Sequence, residues 1–196
     1  MRQVIFDVET QQTFDEVGGY FPDRLKISFV GVCVRDGFTG KGEMLGFFEH
    51  QLADFFPILE SADVVVGFNS DGFDLQTLVP YYQGKVEDLP SLDLMARIKK
   101  SAGHRIGLDA VAKETLGHGK TGDGLDAIKY FKSKQWEELS KYCLQDVAVT
   151  RDLYDYGLRT GKVKFKNKWN RLVECPVDFS FTPKASLGTQ MSLLPF

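Results

Sequence analysis

Residues 2–8 (RQVIFDV) read as a strand, and FDVET at 6–10 sets two acids at its end. Side chains alternate along a strand, so Asp7 and Glu9 point to the same side. Two carboxylates side by side repel, and within an apolar strand that is costly unless a cation lies between them. Asp-x-Glu also occurs at exposed strand ends with no ion, so the pair alone leaves both readings open.

The chain around this strand alternates in a pattern that sets the fold class. Residues 24–34 (RLKISFVGVCV) form a longer strand, with Leu25, Ile27, Phe29 and Cys33 expected on one face. Val30, Val32 and Val34 fall on the other, which predicts burial on both sides. Gly40-Lys41-Gly42 is a turn signal and Glu43–Phe48 a third strand, so the chain opens as a hairpin meander. Leu52, Phe55, Phe56 and Leu59 give a helix over 49–61, and DVVVGF at 63–68 a short central strand. A helix follows from about Asp71 to Tyr82. Residues 91–96 make a fifth strand or run directly into a helix. Helices are predicted over Gly107–Leu116, Asp123–Phe131 and Lys134 to about Leu158, the last ended by Gly157 or Gly161. Strands first and helices afterwards imply an α/β chain, a mixed sheet with helices packed on it. The expected division is one domain over 1–161, a basic strand or arm over 162–175 and a flexible tail over 176–196.

Composition narrows the chemistry. A chain of 196 residues with 43% apolar content suits one ordinary domain. No stretch approaches the roughly 18 apolar residues of a membrane span, and the N-terminus has no signal-peptide layout. The expectation is a soluble cytoplasmic protein with no membrane partner. The three cysteines are odd in number and form no Cys-x-x-Cys pair. Neither a disulfide framework nor a thiolate zinc site is therefore indicated. Three histidines cannot supply a histidine-rich metal site, whereas carboxylate-bound hard cations stay open. The net charge of −3 argues against holding nucleic acid by global electrostatics. Two basic groups are local: Arg97, Lys99, Lys100, His104 and Arg105, and Lys162, Lys164, Lys166, Lys168 and Arg171. Each reads equally as solvated surface or as phosphate contact.

Two further acidic motifs follow the first. GFNSDGFDLQTL at 67–78 comes directly after the apolar 63–68 strand and puts Asp74 near a helix start, beside a sheet end. The plain reading is a helix N-cap or first-turn acid, and Asp71 fits the cap at least as well as Asp74. In YCLQD at 142–146, a spacing of four sets Tyr142 and Asp146 on one helical face. Leu139, Val149 and Leu153 share that face, so it faces the core and the acid needs a partner.

Taken as a set, the order is Asp-x-Glu on strand one, an acid after a later strand, and Tyr-x3-Asp on a late helix. This resembles the tyrosine-bearing branch of the DEDD exonuclease superfamily, which has a ribonuclease H-like mixed sheet flanked by helices. The match spans residues 1 to about 160. The stretch Gly107–Lys120 is similar to the segment before the third motif in the exonuclease domains of family B DNA polymerases and in stand-alone predicted exonucleases of that branch. The resemblance implies a metal-dependent 3′→5′ exonuclease with two divalent cations, Mg²⁺ or Mn²⁺, held by Asp7, Glu9, Asp74 and Asp146. Asp7 would bridge both ions, Glu9 and Asp146 would complete the ion that activates water, and Asp74 would hold the other. Tyr142 would orient the attacking water, since an ordinary phenol pKa of about 10 makes it a poor base alone. Thr10, Asn69 and Phe73 are candidate substrate contacts, with Phe14, Tyr20 and Phe21 as further candidate stacking rings. Core packing is the alternative for each ring.

The segment QMSLLPF at 190–196 resembles short peptides that dock on DNA sliding clamps, with Gln190, Met191, Leu193, Leu194 and Phe196 as the contacts. A disordered tail can present such anchors and meet its ordering cost only on binding; packing on its own domain is the alternative. The implied partner is single-stranded nucleic acid, and the tail favours DNA, in repair or proofreading in trans. An RNA 3′-end trimmer shares the chemistry. A non-catalytic nucleic-acid or clamp-binding module, or a structural subunit of a polymerase assembly, is the reading from another class.

Overall fold

β1 (Arg2–Thr10) is covered on both faces and sits at the centre of a five-stranded sheet. The computed structural model describes residues 1–38, 40–119 and 124–182. β1 pairs antiparallel with β2 (Ile27–Asp36), which pairs antiparallel with β3 (Glu43–Phe48). On its other edge β1 runs parallel to β4 (Val64–Gly67), and β4 to β5 (Ser91–Asp93). The order β3-β2-β1-β4-β5 is the mixed sheet that the sequence calls for, opening as a meander.

Helices cover both faces. α1 (Leu52–Glu60) and α2 (Asp74–Leu78) close one face over Val4, Phe6, Val8, Val30 and Val65. On the other, α3 (Leu94–Ala102), α4 (Leu108–Leu116) and α6 (Trp136–Thr160) enclose Ile5, Cys33, Val66, Val147 and Leu153. α5 (Gly124–Lys132) packs on the first half of α6, with Phe29, Ala127, Leu139 and Cys143 between them and the sheet. Residues 91–96, which the sequence leaves between strand and helix, are both: β5 runs straight into α3.

The close seat of α6 depends on a missing side chain. A Cβ at Gly31 would lie 2.9 Å from Cys143 Sγ and 3.1 Å from Val147 Cγ2. Only hydrogen there lets the middle of α6 approach β2 so closely. Further along, the buried Arg35 guanidinium holds Asp155 of α6 in a two-pronged pair, with Nη1 at 2.9 Å from Oδ2. Arg35 Nε also donates to Gln3 Oε1 at 2.8 Å, which fixes its register across β1.

Two elements differ from the simple periodic reading. The β1–β2 register shifts between Glu9 and Thr10, so Glu9 faces Phe29 while Thr10 faces Ile27 and Ser28 is the extra residue. This bulge turns Ile27 to the face of Val30 and Val32 rather than that of Phe29. α2 is shorter than the predicted 71–82. Asn69 takes a left-handed backbone (φ 67°), and the Asn69 and Asp71 N–H groups donate to the Asp93 carboxylate. The chain there is a turn that cannot yet be helix, and Pro80 removes a donor beyond Leu78.

After α6, β6 (Lys162–Lys166) and β7 (Leu172–Pro176) form a separate antiparallel hairpin whose Val163, Phe165 and Cys175 join the main core. Its lysines are paired: Lys162 with Glu174 at 2.7 Å and Lys166 with Glu114 at 2.9 Å. Phe179 is buried against Tyr154 and occupies the space that a Cβ at Gly157 would need. Among the described residues, no helix is long and apolar enough to cross a membrane.

Candidate functional site

β1 outlasts its parallel neighbour. Its pairing with β4 ends at Ile5–Val66, and β4 itself ends at Gly67. The backbone N–H of Val8 therefore has no strand carbonyl to meet, and it donates to Asp74 Oδ1 at 2.8 Å. That bond brings the second motif against the first. Asp74 is not the cap of α2. Phe73 holds the N-cap position and no side chain caps the helix, while Asp71 accepts from the Ser91 hydroxyl. Neither acid is thus the N-cap, while Asp74 does stand in the first turn of α2, its carboxylate shared between the Val8 N–H of the sheet and its own backbone N–H. Burial, followed by the neighbouring Asp7 carboxylate, pushes the Asp74 carboxyl well above the usual range, and the Val8 N–H opposes this in part.

Alternation along β1 puts Asp7 and Glu9 on the α6 side, next to Ile5 rather than Val8. The third motif descends on them from α6. Cys143 Sγ lies 3.5 Å from the Asp7 carbonyl oxygen and 3.6 Å from its Oδ2, as a weak donor to both. Ligand atoms of Asp7, Glu9 and Cys143 all fall within 4.8 Å of one another. Asp146, one helical turn from Tyr142, is buried and lines the same cleft as Asp7 and Glu9. Burial, then Asp7 and Glu9, push the Cys143 thiol well up, so it stays protonated beside the acids.

The cleft has a volume of about 500 Å³. Thr10, Phe14 and Phe73 form one wall and Leu125 and Ile128 of α5 the other. Phe14 meets Phe73 edge-on at 5.9 Å and Tyr20 at 4.5 Å, and the Tyr20 hydroxyl donates to the Gly72 carbonyl at 2.9 Å. Glu16 clasps the two walls. It accepts from Lys132 of α5 at 2.8 Å and from the Thr13 N–H at 2.7 Å. Those bonds hold its carboxyl down at about 2.

Of the residues singled out in the sequence, Asp7, Glu9, Thr10, Phe73 and Asp146 line this cleft, and Asp74 is joined to it through Val8. Tyr142 is buried at its side, edge-on to Tyr130 at 6.3 Å. Asn69 is not on the cleft wall: its side-chain oxygen accepts from Arg105 Nη2 at 2.6 Å. Phe21 lies under the Arg24 guanidinium at 4.1 Å and is not among the residues that line the cleft. The segment 190–196, with Gln190, Met191, Leu193, Leu194 and Phe196, lies outside the described residues. Sequence reasoning missed Cys143, Gly31 and Asp93. Cys143 and Gly31 carried no signal of their own, since only the packed helix brings the thiol to Asp7 and to β2. Asp93 orders the 69–71 turn and also caps α3 through Ala96 N–H at 3.1 Å.

A donor set of oxygens around one cleft suits a hard divalent cation. Asp74 fits such an ion in particular: a carboxyl raised by burial and by Asp7 is the group whose charged form a nearby cation stabilises.

The RNase_H_2 family model, described as RNase_H superfamily, matches residues 4–157. The chain belongs to the RNase_H superfamily. No curated protein matches the sequence. Among solved structures, the superfamily fold is similar to that of a family B DNA polymerase from the hyperthermophilic archaeon Pyrobaculum calidifontis. The likeness covers 81% of this chain and 24% of the polymerase, at 22% identity and a TM-score of 0.59. A zinc-bound E. coli exonuclease I complex with single-stranded DNA is also similar, over 81% of this chain and 41% of that one, at 14% identity and a TM-score of 0.43. The chain thus spans about a quarter of the polymerase's length and two-fifths of the exonuclease's.

Proposed function

We propose that this chain is a metal-dependent exonuclease that hydrolyses phosphodiester bonds at the 3′ end of single-stranded DNA, in repair or in proofreading in trans. The observation that carries the reading is the meeting of three distant motifs: Asp7, Glu9 and Asp146 on one cleft, and Asp74 bonded to the backbone between the first two. The polarity rests on the motif resemblance, and the DNA preference on the clamp-like segment 190–196 alone.

Asp7, Glu9, Asp74 and Asp146 would hold two divalent cations, Mg²⁺ or Mn²⁺. When bound, such a pair supplies a water of lowered pKa and neutralises charge on the phosphate and the leaving oxygen. The chain's own groups do the rest. The Cys143 thiol and the Val8 N–H fix Asp7 and Asp74 against the sheet before any ion arrives. Tyr142, one turn before Asp146, orients the attacking water through its hydroxyl. Phe14 and Phe73 offer faces on which a terminal base of any identity can pack. Thr10 faces the terminal sugar and phosphate. Its hydroxyl, now donating to the Gln12 carbonyl at 3.0 Å, can turn to accept or donate there.

Digestion of matched DNA and RNA oligonucleotides, labelled at the 5′ end, with Mg²⁺ or Mn²⁺ tests the reading. A DNA ladder that shortens from the 3′ end and stops on adding EDTA is expected. Digestion of RNA alone would make the chain an RNA trimmer, and digestion of neither would return it to the binding-module reading. The 190–196 segment is proposed as a tether to a sliding clamp on sequence grounds, and a chain lacking it should lose clamp capture.

A further inference from the structure

A second concave surface opens on the same side of the sheet as the acids. Its volume is about 420 Å³, within the range of small-molecule sites, and its walls are Phe48, His50, Phe131 and Trp136. Phe48 lies parallel to His50, at 8° and 6.1 Å, and meets Trp136 edge-on at 6.0 Å. Phe131 meets Trp136 at 5.6 Å, and Trp136 is still 43% exposed. This is a large aromatic surface left open to solvent, where such rings usually mark a contact.

The bulge supplies what distinguishes it from an apolar dent. Ser28, the extra residue of β2, is 1% exposed and lines this groove, and its hydroxyl has no hydrogen-bond partner among the described residues. A buried hydroxyl without a partner costs free energy until a ligand atom meets it. The rim adds the Glu49 carboxylate, which already accepts from Gln11 Nε2 and from the Tyr81 hydroxyl. A negative rim repels phosphate and carboxylate groups. The occupant that suits these features has a flat π face, a heteroatom on its edge, and no charge of its own.

We infer that this groove is a nucleobase subsite, taking one base of the single strand whose end lies in the acidic cleft. The inference rests on the function proposed above for its strand. Glu9 pairs with Phe29 and Phe29 with Phe48, so the groove lies two strand spacings, about 10 Å, from the acids. One strand can reach both. The base stacks on Trp136 with its edge against Phe48, turns a heteroatom to Ser28, and keeps its phosphate away from Glu49.

Trp136 itself reports the test. The chain has two tryptophans, so in a Trp169→Phe background the remaining emission belongs to Trp136. Titration with a dT dodecamer in EDTA should quench that emission saturably. Trp136→Leu, followed by anisotropy of a labelled dodecamer, should weaken binding about 10-fold, the loss of one stacked base. Trp136→Phe should retain most of the affinity, and Ser28→Ala should lose part of it. Quenching with wild-type digestion supports both the subsite and the function. Digestion by the wild type with no quenching, and unchanged affinity in Trp136→Leu, overturns the subsite and leaves the function standing. Quenching by the oligonucleotide with no digestion under any divalent ion overturns the function and leaves a nucleobase groove.

Discussion

Adding one methyl group at Gly31 should displace the helix that carries two of the site's side chains. An alanine Cβ there would sit 2.9 Å from Cys143 Sγ, 3.1 Å from Val147 Cγ2 and 3.4 Å from the Cys143 backbone carbon. The two shorter contacts matter, because Cys143 and Val147 are fully buried on α6 and their γ atoms have little room to rotate away, whereas 3.4 Å to the backbone carbon is ordinary contact. Relief requires α6 to lift from β2 by several tenths of an ångström. Overpacking of this kind costs about 1–3 kcal/mol. For a chain of this size each kcal/mol lowers Tm by about 2–4 °C, so Gly31→Ala should melt about 2–12 °C below the wild type. Activity should fall more steeply than stability at assay temperature. Tyr142 and Asp146 ride on the lifted segment, and misplacement by about 1 Å can cost roughly 100-fold. The partner variant makes the reasoning specific. Cys143→Ala removes the nearest atom, so the double variant should be more stable than the sum of the two single effects, by about 0.5–3 kcal/mol. Thermal melts of all four proteins, with hydrolysis of a labelled oligonucleotide measured in parallel, give both numbers. A Gly31→Ala protein with the wild-type Tm and rate, or strictly additive melts, would refute the claim that this contact seats α6.

Other perturbations probe other parts of the site. Asp74 is held above its ordinary value of 3.8, so the folded chain keeps a proton that the unfolded chain has lost. Its contribution to stability in EDTA should therefore fall as pH rises from about 3.8 through the raised folded value. Asp74→Asn, which keeps an acceptor for Val8, should remove that fall and melt higher than the wild type at neutral pH. Glu16 has the opposite sign. Its carboxyl is lowered from 4.5 to about 2, so the Thr13–Lys132 clasp is present above pH 4.5 and lost as pH falls toward 2. Glu16→Gln should remove that acid dependence and raise the apparent KM for a single strand, read by initial rates. Asp146→Asn should leave the melt nearly unchanged and abolish hydrolysis.

The sheet was legible because β1, β2 and β4 carry short β-branched apolar runs bounded by polar or turn residues, and because Gly40 and Gly42 mark the β2–β3 turn. The acids were legible for a different reason: Asp-x-Glu on a strand and Tyr-x3-Asp on a helix each force a shared side, whatever the tertiary structure. What strict alternation could not show was the bulge at Ser28, since one extra residue leaves no trace in a period-two count and reverses Ile27. It could not show that Asp74 serves a backbone N–H on β1, because that need arises only where β4 ends before β1 does. Nor could it show that Asn69 is taken by Arg105, a contact across 36 positions of chain. Gly31 and Cys143 look unremarkable separately, and their meaning lies in a contact of 2.9 Å that only the packed helix creates.

Manganese titration followed by electron paramagnetic resonance tests the central claim most directly, because free Mn²⁺ signal is lost on binding and no substrate is needed. Wild-type protein should sequester Mn²⁺ at its cleft, and Asp7→Asn should release most of it without a change in fold by circular dichroism. Equal sequestration by the two proteins would mean that the carboxylates gathered at the end of β1 do not hold the ion.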